Sequence, residues 1–116
     1  MTSLATARPL RCANLEIRPF ERRALVDGRP LELTAREFSV LLALAERRNR
    51  VVPRPDLYRL VWQRPMSYRD RSVDVFVGRL RGKLGAAAPS WVYIHTHFGV
   101  GYRFAPARAG VRNRAQ

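Results

Sequence analysis

The sequence is short of several things, and each shortage removes a class of protein. It has one cysteine, Cys12, in 116 residues. A single thiol forms no internal disulfide, which excludes the small secreted scaffolds held together by cystine bridges. No apolar run approaches the roughly 20 residues of a membrane-crossing helix. Residues 1–8 have a single charged side chain, Arg8, and no apolar core segment, so they do not read as a signal peptide. Lysine is nearly missing as well: of 22 basic residues only Lys83 is not arginine. G+C-rich codon usage accounts for that ratio. It does not account for the loss of acidic residues, the last of which is Asp74. Residues 75–116 hold seven basic side chains and no acidic one. Catalytic sets are also wanting. There is no glycine-rich phosphate loop, no Ser-His-Asp set and no paired carboxylates. His95 and His97 alternate along a strand as two metal ligands would, but no second Cys or His cluster completes a site.

What is present is a core and a charge. The chain is 47% hydrophobic with a net charge of +13. That composition suits one folded, reduced, strongly basic domain whose natural partners are nucleic acid or anionic surfaces.

From Pro9 to Leu33 the apolar residues are sparse and alternating (Leu15, Ile17, Leu25, Leu31, Leu33), and Asp27-Gly28 is a turn signal. This predicts several short antiparallel strands that must pack on something else. Thr34-Ala35-Arg36-Glu37 is a capping box, in which each end satisfies the other's amide. Phe38, Leu41, Leu42 and Ala45 follow on one face, predicting a helix from Ala35 to about Arg48. Arg47, Arg48 and Arg50 suit the negative end of its dipole. Val51-Val52 is extended. Pro55 fits a first helical turn, and Leu57, Leu60 and Val61 predict a short helix over 54–62, stopped by Pro65. Residues 63–69 are a loop.

The segment from Asp70 to Leu84 predicts a third helix. Val73, Val77, Leu80 and Leu84 form a core stripe, and Asp70 and Asp74 suit its N-terminus. The opposite side has Arg71, Ser72, Val75, Phe76, Arg79 and Lys83. Arginine forks, a hydroxyl and apolar atoms together suit the edges of DNA bases in a major groove. The competing reading packs Val75 and Phe76 on a neighbouring element and leaves the arginines solvated. Gly85–Ser90 reads as a small-residue turn. Trp91–His97 and Tyr102–Phe104 read as strands joined by Phe98-Gly99-Val100-Gly101. Residues 106–116 read as a basic disordered tail, leaving 9–105 as the domain behind an N-terminal tail or linker stub, 1–8.

Several separated motifs agree in order and spacing with one family. They are Leu33-Thr34-Ala35-Arg36-Glu37-Phe38, Val52-Pro53-Arg54-Pro55-Asp56-Leu57 running to Trp62, Arg71-Ser72-Val73-Asp74-Val75, Leu80-Arg81-Gly82-Lys83-Leu84 and Gly99-Val100-Gly101-Tyr102-Arg103-Phe104. Over roughly residues 10–105 the chain resembles the C-terminal effector domain of OmpR/PhoB-type response regulators of two-component systems. The resemblance implies an α+β winged helix-turn-helix: an N-terminal four-stranded antiparallel sheet, three helices and a C-terminal β-hairpin wing. It implies that the third helix enters the major groove of double-stranded DNA and the wing the adjacent minor groove. Positions matching Arg71, Ser72, Val75, Phe76 and Arg79 would face bases and nearby phosphates. Those matching Arg54, Trp62, Arg81 and Thr96 would touch the backbone. The loop holding Arg64, Met66 and Tyr68 would be the one through which some members contact RNA polymerase. Binding would be head-to-tail on direct repeats, in the cytoplasm at the nucleoid, without membrane, metal or cofactor.

Two departures stand out. At the wing tip, Phe98 and Gly99 occupy a place where the family often has an arginine for the minor groove. The expectation is that Phe98 packs against its own hairpin, the other reading being a wedge between bases. Gly78 lies mid-helix, where it costs about 1 kcal/mol relative to alanine. Nothing before Leu10 is long enough for a receiver domain, so the domain is either excised or controlled otherwise. Two rival functions fit the same residues. One is a winged-helix module that binds polymerase or another regulator through Phe76, Tyr68, Met66 and Phe98. The other, suggested by charge alone, is a small RNA- or ribosome-bound basic protein.

Overall fold

The computed structural model describes residues 8–110. The two ends of the sequence, 1–7 and 111–116, lie outside the described residues, and with them most of both expected tails.

Four short strands come first: β1 (Leu10–Cys12), β2 (Leu15–Arg18), β3 (Arg23–Val26) and β4 (Arg29–Leu31). They form an antiparallel sheet in sequence order. Asp27 and Gly28 link β3 to β4 with φ of 51° and 81°, the two-residue turn whose twist matches the flanking strands. Leu15 pairs with Val26 and Ile17 with Ala24. All four are buried on one face, which makes the sheet half of a core rather than a core alone.

Helix α1 (Ala35–Ala45) supplies the other half. The capping box forms as the sequence predicts: the Glu37 amide donates to Thr34 Oγ1 at 3.1 Å, and the Thr34 amide donates to Glu37 Oε1 at 2.9 Å. The helix is buried on more than one face, with Phe38, Val40, Leu41, Leu44 and Ala45 all enclosed. It ends three residues before the expected Arg48. Asn49 takes a left-handed φ of 70°, and its amide donates to the Phe104 carbonyl at 2.8 Å, so the chain turns away to meet a distant strand. Arg47 still serves the helix end, donating to the Ala43 carbonyl at 2.9 Å.

Strand β5 (Val51–Pro53) leads directly into α2 (Arg54–Trp62), whose bounds match the expectation. Its stop is Gln63, left-handed at φ 59°, two residues ahead of the expected Pro65. Leu57 and Tyr58 are its buried residues, while Leu60 is 41% exposed rather than core. The third helix, α3 (Ser72–Ala87), starts two residues later than Asp70 and runs through Gly85 to Ala87. Gly85 therefore does not open a turn but lies exposed inside the last turn of the helix. The stripe Val73, Val77, Leu80 and Leu84 is buried as predicted.

The last two strands are β6 (Trp91–His97) and β7 (Gly101–Arg108). β7 extends three residues past Ala105, so Pro106–Arg108 belong to the domain and not to a disordered tail. The register explains why: Trp91 pairs with Arg108 and Val92 with Ala107. The wing is also more than a hairpin. β5 pairs with β7 on its free edge, giving a three-stranded sheet in the order β5-β7-β6. Gly101 makes that closeness possible. A Cβ there would lie 2.0 Å from the Val52 carbonyl oxygen.

Candidate nucleic-acid interface

The N-terminus of α3 is set by Asp70, whose Oδ1 accepts the Ser72 amide at 2.8 Å. That bond holds the carboxyl below its ordinary range. From this start, helical spacing turns Arg71, Val75, Gly78, Arg79 and Gly82 outward, and all five are exposed. Neither Arg71 nor Arg79 has a carboxylate in ion-pair range among the described residues. A Cβ on Gly78 would meet nothing within 4 Å, so no neighbouring element of the chain requires a glycine there.

Phe76 stands apart from this outward set. It is half-buried, with its ring edge-on to Trp62 at 5.7 Å. Trp62 in turn stacks on Tyr58 at 4.6 Å and 6°. Arginines close the column: Arg36 over Trp62 at 4.8 Å, Arg64 over Tyr58 at 5.9 Å and Arg79 over Phe76 at 5.1 Å. Of the two readings of Val75 and Phe76, packing on a neighbour describes Phe76 and exposure describes Val75. The column joins the outer edge of α3 to α2.

A second junction joins α2, α3 and the wing. Arg54 Nε donates to Asp74 Oδ1 at 2.8 Å, and its guanidinium lies 4.9 Å from the centre of the Tyr102 ring. The Tyr102 hydroxyl donates to the same Asp74 oxygen. Burial disfavours the charged form of Asp74, but the bonds from Tyr102 and Arg54 outweigh it, and the carboxyl stays below its ordinary range. Its charge is thereby matched at the face where the excess of arginine lies.

A third junction ties α3 to β6. Arg81 Nη2 donates to the Ile94 carbonyl at 3.0 Å and to Thr96 Oγ1 at 2.7 Å, with Tyr102 beneath the guanidinium at 5.4 Å. Arg81 and Thr96, both expected at the DNA backbone, are thus brought together and bonded to each other. Lys83, expected on the outward face, turns back to α1 and pairs with Glu37 at 2.7 Å. Sequence reasoning missed this pair.

The wing tip differs most from expectation. Phe98 does not pack on its hairpin: it is 91% exposed. The turn is closed by the Val100 amide on the His97 carbonyl at 2.9 Å, with Gly99 at φ 78°. Beneath it the two histidines face different partners. His95 donates from Nε2 to the Ala105 carbonyl at 2.7 Å, and His97 Nε2 accepts from Arg103 Nε at 3.0 Å. No group of three His, Cys, Asp or Glu side chains among the described residues could hold a metal ion. In the loop between α2 and α3, Met66 packs against the core, Arg64 Nε donates to the Tyr58 hydroxyl at 3.2 Å, and Tyr68 is 88% exposed.

A short antiparallel sheet, three helices and a C-terminal hairpin bound to the third helix define a winged helix-turn-helix domain. The chain belongs to the family described as "Transcriptional regulatory protein, C terminal", which matches residues 28–104 and is the OmpR/PhoB-type DNA-binding domain. It is 38% identical over 101 residues to the transcriptional regulatory protein PrrA of Mycobacterium tuberculosis, covering 87% of this chain and 43% of PrrA. The chain thus spans less than half the length of that relative. The fold is similar to the DNA-binding domain of CpxR from E. coli, with a TM-score of 0.77 and 31% identity over 84% of this chain and 96% of that one. It is similar also to the Klebsiella pneumoniae RstA DNA-binding domain in complex with the RstA box, with a TM-score of 0.76 and 31% identity over 84% and 97%. No helix among the described residues is long and apolar enough to cross a membrane.

Proposed function

We propose that this domain binds double-stranded DNA sequence-specifically and regulates transcription, with α3 in the major groove and the wing over the adjacent minor groove. One observation carries the reading: α3 presents Arg71, Val75 and Arg79 outward, the two arginines without ion-pair partners among the described residues, while the hairpin beside it is tied to the same helix through Arg81 and Thr96. Arg79 and Arg71 read guanine edges or phosphates, and Val75 meets a thymine methyl. Ser72 and the exposed edge of Phe76 border that contact. Arg54, Trp62, Arg81 and Thr96 line the backbone on either side and fix the register of α3. That the RstA domain was solved in complex with the RstA box supports DNA binding by this fold. Two copies bind head-to-tail on direct repeats. Exposed Tyr68, with Arg64 and Met66 beside it, offers RNA polymerase a contact in the same complex. The place of action is then the nucleoid in the cytoplasm.

A salt titration of binding to a duplex selected from random DNA tests this. Several arginine–phosphate contacts each release a counterion, so the logarithm of the binding constant should fall steeply against the logarithm of salt, by roughly 0.9 per phosphate contacted. Salt-independent binding, or equal affinity for selected and scrambled duplexes, would overturn the reading.

A further inference from the structure

Phe98 is the most exposed large apolar side chain among the described residues, at 91%, and it stands at the end of a hydrogen-bonded turn. The turn is closed on itself at His97 and Val100. Arg103 bonds His97 just below the tip. Gly101 sits hard against the β5 backbone, where even a methyl group would collide. The exposed ring is not packed against the hairpin, and these contacts tie down the backbone beneath it.

The tip also has a definite address. The Arg54 amide donates to the Val100 carbonyl at 3.2 Å, and the Arg54 side chain pairs with Asp74 in the first turns of α3. Phe98 therefore projects from the end of the molecule at which α3 begins. A helix in the major groove fills a channel about 12 Å wide. A projection beside it crosses one backbone and meets the next groove, which is the minor one.

The chemistry of the tip restricts what it does there. Phe98, Gly99 and Val100 have no polar side-chain atom, so the tip neither neutralises a phosphate nor hydrogen-bonds a base edge through side chains. An aromatic ring gains instead by stacking, and an apolar wedge entering the minor groove does so by opening a base step. Pyrimidine–purine steps open most readily.

We propose that Phe98 is an apolar wedge that enters the minor groove beside the α3 site and stacks into a pyrimidine–purine step, so that the wing selects DNA by deformability rather than by charge. This rests on the DNA-binding reading above and adds a specificity-determining residue to it.

The test selects random duplexes in parallel with the wild-type chain and with Phe98→Ala. The exposed ring supports nothing else, so the variant keeps its fold. The wild type should enrich a core motif plus a TA or CA/TG step displaced by about half a helical turn, ~5 base pairs. Phe98→Ala should keep the core, lose the preference at that step and bind the wild-type duplex about tenfold more weakly, the scale of one base stacked on one ring. With 2-aminopurine placed at the step, fluorescence should rise on binding wild type and stay flat with the variant. Identical flanking preferences with equal affinities would overturn the wedge and leave DNA binding standing. Failure of the wild type to enrich any motif would overturn the DNA-binding reading itself.

Discussion

The ammonium of Lys83 lies 2.7 Å from Oε1 of Glu37, across 46 residues of sequence. The Glu37 side chain is only 3% exposed, and the oxygen that Lys83 reaches is the one that accepts the Thr34 amide. One buried carboxylate therefore closes the first turn of α1 and anchors the third helix to it. The chain's single lysine is structural, and the charge on the outward face of α3 is all arginine.

That pair sets an acid sensitivity. Burial alone would push the Glu37 carboxyl up, but the bonds from Lys83 and Thr34 outweigh it and hold the carboxyl below its ordinary 4.5. A carboxyl depressed in the folded state contributes stability that is full above the unfolded value and is lost as pH falls through the folded one. Lys83→Ala leaves the carboxylate buried with one fewer partner, which raises its folded pKa. The variant should be about 1–2 kcal/mol less stable at pH 7. The gap should narrow as pH drops below about 4.5. Urea unfolding at pH 7 and pH 4 checks both signs, and a gap unchanged between the two would contradict the assignment.

Asp74→Asn should separate stability from binding. Removing the carboxylate weakens the Arg54 and Tyr102 bonds that join α2, α3 and β7, at about 1 kcal/mol. It also removes an acidic charge from the arginine face and releases Arg54. Thermal melts should shift down while affinity for random duplex DNA rises severalfold at low salt. A fall in both would place Asp74 in the contact itself.

Arg79→Ala and Arg54→Ala should differ in kind. The Arg79 guanidinium lies over the Phe76 ring at the outer edge of α3 with no ion-pair partner among the described residues, and its loss should cost about 1–3 kcal/mol on the selected site and relax preference at one position. Arg54 is already paired, and its loss should weaken all sequences alike. Competition binding against point-substituted duplexes distinguishes them, and a uniform loss from both variants would show that α3 does not read bases.

Gly101→Ala should be among the most damaging single-methyl changes in the chain. Its Cβ would sit 2.0 Å from the Val52 carbonyl oxygen and 2.8 Å from the Pro53 Cα, both backbone atoms. Strand β5 or β7 must shift, for which ~3 kcal/mol is a fair scale of overpacking. Unfolding of Gly101→Ala with near-normal stability would mean that the β5–β7 contact yields easily.

Features written in consecutive residues were legible from sequence. The capping box at Thr34 and Glu37, the bounds of α2 and the buried stripe of α3 all follow from local hydrogen bonding and helical period. What escaped was non-local. Glu37 reads as a cap and Lys83 as a surface charge until the fold brings them together. Arg81 and Thr96 each look free for phosphate, yet they bond each other. Gly85 reads as a stop because glycine weakens a helix, yet the helix runs on past it to Ala87, with Leu84 buried just before it and Ala88 buried at the C-cap. Phe98 reads as a side chain that folds back on its hairpin, because an apolar ring gains by burial, and its exposure shows only in the structure. The pairing of Val51–Pro53 with β7 left no local trace.

The position of β7 between β5 and β6 has a consequence for how the domain is made. Its partner β5 precedes it by some fifty residues, and the wing sheet has no centre until β7 exists. During synthesis the first sheet, α1 and the capping box can form as they emerge, whereas the wing, the Asp74 junction and the anchor of Asn49 all wait for Gly101–Arg108. A nascent chain halted at Val100 would hold every residue of α3 and its Arg81 contacts to β6, but not the central strand that completes the wing sheet. The ability to grip DNA should therefore arrive in one late step, not grow with chain length.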